Sequence, residues 1–579
     1  MRGSARCRFV CLVALGVGGS AAAEEFPESP AVLVPPLAGS LQGGAVHGLE
    51  EFRFRAYQSG ERLADFPDEA VFDYQEVVQR LSVSGGSSLL TAGVQVDAVA
   101  LFSNQYILDG ELIEERVLWG EGLSGPHPNW WFGVEKFWLQ GRGDTPSSAS
   151  LSWTLGDSYA AFGRGLALNV VKNTDIDVDT SLRGVHATVA AGDWEVSLVE
   201  AVANPQQVRL ENPNVAMRAD RPHAVHGLRV DRYGRVHVGA HAAAYQFVRG
   251  LDATLDPLTA YAGDVDAGVV GATVEASGVG PFDLGAEFDW IGYGADDISV
   301  EHGYAGYLSA SAYPGVASVL VEGKIYRDTE WLNQFATLDG YEVSTGPSLE
   351  YERAITEDSS AALNSNDVIG GRVRSDFALG KGAQVLTPYV SAAVLRDADL
   401  GGVHFNTTPE TIVHGVGGVI AVIGEFHLLA NGGWRMDMRD DAPTDNGGDT
   451  TAHADLMVTI PLPHHLSLEV APSVLRYHWG ENPVQQTDYT DISSTTALKI
   501  GVPWAVLVYT DFSDNPLITS TGNVSENVYM AGELQWQPTS AMTVKVFYGA
   551  YRAGIRCAGG QCRSLPGFEG ARASFTSNF

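Results

Sequence analysis

Four absences bound this chain before any motif is read. After the first 23 residues no apolar run reaches the roughly 20 residues that a membrane-spanning helix needs, which excludes helical transmembrane topology. Cysteine is scarce, with 4 in 579 residues, so neither a disulfide-dense scaffold nor a cysteine-built zinc centre fits. Positive charge is scarce too: 36 Lys and Arg stand against 70 Asp and Glu, a net charge of −34, and nucleic acid is a poor partner for such a surface. Also missing are Gly-x-Ser-x-Gly, His-Glu-x-x-His and a phosphate-binding glycine loop, so no enzyme activity is expected.

What is present begins with an export signal. Arg2, Arg6 and Arg8 precede an apolar run from Phe9 to Val17 and then Ala21-Ala22-Ala23, the pattern of a cleavable secretory signal over residues 1–23. Cleavage near Ala23 would start the mature chain at Glu24, with 33 basic against 70 acidic residues and a net charge of −37. Neither Cys7 nor Cys11 follows the small-residue site, so no lipid anchor is expected. Cys557 and Cys562 alone survive, and in an oxidising compartment they read as one local disulfide. The acidity reads first as solvated loops facing outside water, and second as a field that draws cations or bridges to lipopolysaccharide through divalent metal.

From about residue 76 onward, segments of ten to fourteen residues alternate apolar and polar side chains with period two, the signature of strands. In Phe282-Asp283-Leu284-Gly285-Ala286-Glu287-Phe288-Asp289-Trp290 one face is apolar and the other acidic. Ile369, Val373, Phe377 and Leu379 oppose Arg372, Arg374 and Asp376 in the same way. Phe426, Leu428, Ala430, Trp434, Met436 and Met438 oppose His427, Asn431, Arg435, Asp437 and Arg439. Such strands are longer than those of soluble sheets, and charges along one face need an aqueous interior.

Connection lengths support the same conclusion. Short turns at 192–193, 233–234, 278–280, 314–315, 380–382, 424–425, 461–463, 501–503 and 537–539 alternate with longer polar connections, among them 203–221, 294–302, 328–365 and 553–566. Outer-membrane barrels show this asymmetry, with tight periplasmic turns and long external loops. The expected fold is therefore all-β: a single antiparallel transmembrane barrel of about 24 strands (22 to 26), integral to the outer membrane. It would occupy 47–579, after a periplasmic segment at 24–46. Trp194, Trp504 and Trp536 fall beside short turns, and Trp434, Tyr477 and Trp479 near outer ends, as interfacial girdles would. In the strand from Met542, Val544, Val546 and Tyr548 should face lipid, and Thr543, Lys545 and Gly549 the lumen, with Phe547 an apolar exception on the inward parity.

Two motif blocks resemble a known family. Gly554-Ile555-Arg556-Cys557-Ala558-Gly559-Gly560-Gln561-Cys562-Arg563, with Pro566, Phe568, Gly570 and the terminal Phe579, is one. The other is Gly156-Asp157-Ser158-Tyr159-Ala160-Ala161-Phe162-Gly163-Arg164-Gly165-Leu166-Ala167-Leu168, followed by Asp179, Leu182, Arg183 and Gly184. Both resemble an uncharacterised bacterial outer-membrane β-barrel family, porin-like and of unknown function. The resemblance implies the fold and no activity.

Candidate site residues lie chiefly between the strands. Phe162-Gly163-Arg164-Gly165 permits a tight backbone path, either a loop folded into the lumen with Arg164 at a constriction or a structural bend. Asp175, Asp177 and Asp179, at spacing two, place three carboxylates on one side of an extended segment. They read as a solvated acidic strand, with Ca²⁺ as the alternative; no other cofactor is expected. Arg372 and Arg374 are lumen candidates. His237 and His241, four apart on one strand, lie about 13 Å from each other and cannot chelate one metal between them, so no metal site is expected. The leading functional expectation is a porin-like channel or transporter for polar solutes, with the segment 328–365 as the expected obstruction. The alternative is a surface-interaction or assembly protein with a loop-occluded lumen. With little chain before the first candidate strand, energised import through a plugged barrel is the less expected reading.

Overall fold

A computed structural model describes residues 45–57, 69–72, 75–102, 105–108, 111–113, 130–144, 149–172, 179–204, 224–247, 265–295, 298–327, 329, 342–344, 368–381, 384–397, 410–439, 449–478, 488–514, 528–552, 554–558, 561–565 and 568–579. The signal sequence, nearly all of segment 24–46, Asp175, Asp177 and Trp479 lie outside these residues. Among the described residues there is no helix.

The main sheet closes on itself through 24 antiparallel strands. In chain order the first eight are β1 (Ala45–Tyr57), β2 (Gln75–Gly86), β3 (Leu90–Phe102), β4 (Trp130–Asp144), β5 (Ala149–Ser158), β6 (Ser181–Ala191), β7 (Trp194–Asn204) and β8 (Ala224–Arg232). Next come β9 (Val236–Phe247), β10 (Val265–Val279), β11 (Phe282–Ala295), β12 (Ile298–Ala312), β13 (Ala317–Arg327), β14 (Val368–Phe377), β15 (Gln384–Asp397) and β16 (Glu410–Ile423). The last eight are β17 (Phe426–Arg439), β18 (Asp449–Leu462), β19 (Leu466–His478), β20 (Tyr489–Ile500), β21 (Trp504–Ser513), β22 (Val528–Thr539), β23 (Met542–Tyr551) and β24 (Phe568–Asn578). Each strand pairs with its chain neighbours, and β1 pairs with β24 from Leu49↔Asn578 to Tyr57↔Gly570, which leaves no open edge.

Alternation explains the two surfaces. Phe288, Trp290, Ile369, Val373, Trp434, Val546 and Tyr548 are exposed on the outside, while Glu287, Asp289, Arg374 and Arg435 are buried inside. The interior charges meet across strands, as in Arg80–Asp97 at 3.0 Å, Arg372–Glu322 at 2.7 Å and Arg552–Asp491 at 2.9 Å. Trp194, Trp504 and Trp536 are exposed beside short turns, the last two stacked with ring centroids 5.7 Å apart. Tyr477 differs from expectation: it is buried on the inside, stacked on Tyr489 across the β19–β20 pair.

Three connections also differ, one being the turn expected at 537–539, which lies at 540–541 because β22 runs on to Thr539 and pairs it with Met542. The stretch 294–302, read as a longer loop, is a hairpin in which only residues 296 and 297 separate β11 from β12. The strand ladder runs on to Ala295↔Ile298, and His302 packs on the exposed Trp290, so polar letters there do not signal a loop. The turn expected at 461–463 lies two residues on, at 463–465, where His464 and His465 take positive φ of 64° and 61° and Pro461 stays in the ladder. Three residues, 463–465, separate the paired Leu462 and Leu466. Of the segment 328–365, the described part beyond Thr329 is Glu342–Ser344, which pairs with Gln561–Leu565 of a small hairpin where Cys557 and Cys562 stand directly opposite. The cysteine side chains lie outside the described residues.

Candidate functional site

The connection between β5 and β6 turns inward. Ala160–Phe162 pairs with Leu168–Val170, and the Gly165 amide donates to the Phe162 carbonyl at 2.9 Å. Gly163 and Gly165, at φ of 59° and 91°, supply the left-handed steps this tip requires. Phe162, Ala167, Leu168 and Val170 are buried against Leu182, Val199, Val225, Tyr245, Val269 and Ile291, inward residues of β6 to β11. Leu166 joins a second cluster with Tyr307, Tyr326, Val368, Leu395 and Ile412. Burying each of these large side chains contributes about 1.5–3 kcal/mol. The hairpin is thus lodged on the lumen wall rather than forming a bend at the rim. These inward apolar residues of β6 to β11 form the surface that receives it.

A polar anchor holds the base of this hairpin. Asp157 accepts from the Phe137 amide at 2.8 Å, from Ser181 Oγ at 2.9 Å and from Asn204 Nδ2 at 2.8 Å, and pairs with Arg183 at 3.2 Å. Asp179 pairs with the buried Lys136 and with Lys172, the latter at 3.1 Å, and accepts from the Tyr159 hydroxyl. Burial would push the Asp179 carboxyl up, but the Lys136 and Lys172 ammonium groups outweigh it and hold the carboxyl below its ordinary range. Asp179 is therefore committed to two lysines within the barrel. Residues between Gly156 and Gly184 supply most of this anchor.

Arg164 sits at the exposed hairpin tip. Its guanidinium stacks on the Tyr307 ring at 3.9 Å, and its backbone amide donates to Glu287 Oε2 at 2.6 Å. The Tyr307 hydroxyl donates to Glu322, which Arg372 holds at 2.7 Å. Arg164 and Arg372 are thus brought into one chain of contacts. Arg374 lies apart from them, paired with Asp376 at 3.0 Å and packed on the Tyr389 ring at 4.4 Å.

Sequence reasoning did not assemble one further cluster. His241 on β9 and Glu287 and Asp289 on β11 offer ligand atoms all within 4.8 Å of one another. The pairing of His241 with His237, four positions away on the same strand, fails on distance; the partners of His241 come from two strands away. The available signal was Glu287 and Asp289, two carboxylates at spacing two on one strand face.

No family model matches the chain, and no curated protein matches its sequence. Among solved structures, the siderophore receptor PirA from Pseudomonas aeruginosa aligns over 92% of this chain and 80% of its own, at 9% identity and a TM-score of 0.43. The FrpB iron transporter from Neisseria meningitidis (F5-1 variant) aligns over 92% and 82%, at 10% identity and a TM-score of 0.42. For the copper transporter OprC the values are 93%, 80%, 10% and 0.40. Likenesses this distant carry no ligand over to this chain.

Proposed function

We propose that the chain is an integral outer-membrane channel or transporter for polar solutes, narrowed by the hairpin at 159–172. The observation that carries this reading is the two-sided wall: apolar residues cover its outside, and ion pairs line its inside. A closed sheet of this kind satisfies every backbone group without water, as a lipid-embedded chain must. The hairpin takes the part of a constriction, with Arg164 presented at its tip. Charged groups at a narrow point select among solutes by sign and size.

Purified protein inserted in a planar bilayer should give stable conductance steps. Replacing residues 160–170 by a short Gly-Ser link should raise the step size severalfold, because the wall stays closed while its filling is removed. Conductance absent from both forms would overturn the reading in favour of a surface-interaction or assembly protein with an occluded lumen.

A further inference from the structure

We infer that His241, Glu287 and Asp289 form a binding site for one divalent transition-metal cation in the barrel wall, beneath the hairpin tip. Three strands build it. His241 on β9 stands opposite Gly271 on β10, and Gly271 stands opposite Asp289 on β11. A Cβ on Gly271 would collide with both His241 Nε2 and Asp289 Oδ1. Glycine in the middle strand is what lets the outer two side chains meet, and they do so at 2.5 Å.

The cluster is only partly satisfied as it stands. His241 Nδ1, Glu287 Oε1 and Asp289 Oδ2 are buried with no hydrogen-bond partner among the described residues. Leaving such buried polar atoms unmet is costly. Neither neighbouring guanidinium is hydrogen-bonded to the cluster among the described residues: Arg164 gives Glu287 its backbone amide while its guanidinium lies on Tyr307, and Arg229 is paired with Asp231 at 2.6 Å. As metal ligands, two ionised carboxylates and a neutral imidazole would bring two negative charges, which one divalent ion cancels.

The donor set selects the class of ion. One imidazole nitrogen and two carboxylates suit Zn²⁺, Mn²⁺ or Fe²⁺, whereas Ca²⁺ asks for six to eight oxygens. Ligand distances of about 2.0–2.2 Å require the His241–Asp289 contact to open by about 1 Å. The Arg164 amide on Glu287 orients that ligand in the manner of an outer-shell partner. A bound ion would therefore pin the hairpin to the wall, whatever the lumen conducts.

The test uses full-length protein in detergent, stripped with a chelator and dialysed against Zn²⁺ or Ca²⁺. One Zn²⁺ per chain is expected, with Ca²⁺ at least tenfold weaker. His241→Ala and Glu287→Gln, checked for folding by heat-modifiable migration, should each weaken Zn²⁺ at least tenfold. Should either variant fail to fold, zinc-edge X-ray absorption of the wild type replaces it and should show one imidazole among oxygen ligands. Zinc below stoichiometry, equal Ca²⁺ affinity, unchanged binding in the folded variants, or a shell without imidazole would each overturn the site. No current is measured, so this outcome is separate from that of the channel reading.

Discussion

Phe547 is a large apolar side chain on the inward parity of β23, and it is buried among Tyr509, Tyr551 and Phe568 with the Arg572 guanidinium over its ring at 5.1 Å. The exception expected from the sequence is thus an aromatic cluster inside the wall, and the surrounding parity holds, with Val546 and Tyr548 exposed outside. Lys545 on the lipid side would cost about 2–4 kcal/mol at mid-membrane. Single cysteines at 544 and 545 test the faces in intact cells or proteoliposomes. A water-soluble thiol reagent should label position 545 more readily than 544. The opposite order would mean a one-residue slip, which inverts every face together.

Hairpins are the elements on which the candidate site depends. Lys136→Met should cost the lumen hairpin about 3–5 kcal/mol, because it strips Asp179 of a buried partner. Limited proteolysis should then cut within 159–172, where the wild type resists; an uncut variant would show that apolar packing suffices alone. The pH sense of this anchor follows from Asp179. Its carboxyl is held below the ordinary value, so the stabilisation is complete above about pH 4 and is lost as pH falls through the lowered folded value. The final hairpin holds a second expectation. Cys557 and Cys562 are directly opposite in register, which is the spacing a disulfide bridges. Protein isolated without reductant should show no free thiol at either position, and labelling of both would refute the bridge. So small a ring contributes little globally, and its effect is on local shape.

At the scale of the whole molecule, charge and closure act together. A net charge of −34 for the full chain, spread over a barrel with a polar interior, favours cations at the mouths. Reversal potentials across a potassium chloride gradient should show cation preference that weakens as salt rises, and anion preference would count against this field. The barrel itself was legible in the sequence: period two, with Arg372 and Arg374 opposite Val373 and Ile369, dictates a two-faced strand wherever the chain closes. So was the Gly163-Arg164-Gly165 tip, because left-handed steps leave a mark on composition. The sequence could not choose between a rim bend and a lumen hairpin, since both use the same glycines; the choice rests on Val199, Val225 and Ile291, distant residues that only the closed wall presents to Phe162. Nor could it join His241 to Asp289, which are 48 positions apart. Periodicity along a strand is local and survives in a string of letters, whereas neighbourhood across strands is set by register and by the bare Gly271 between them, which exist only once the sheet has formed.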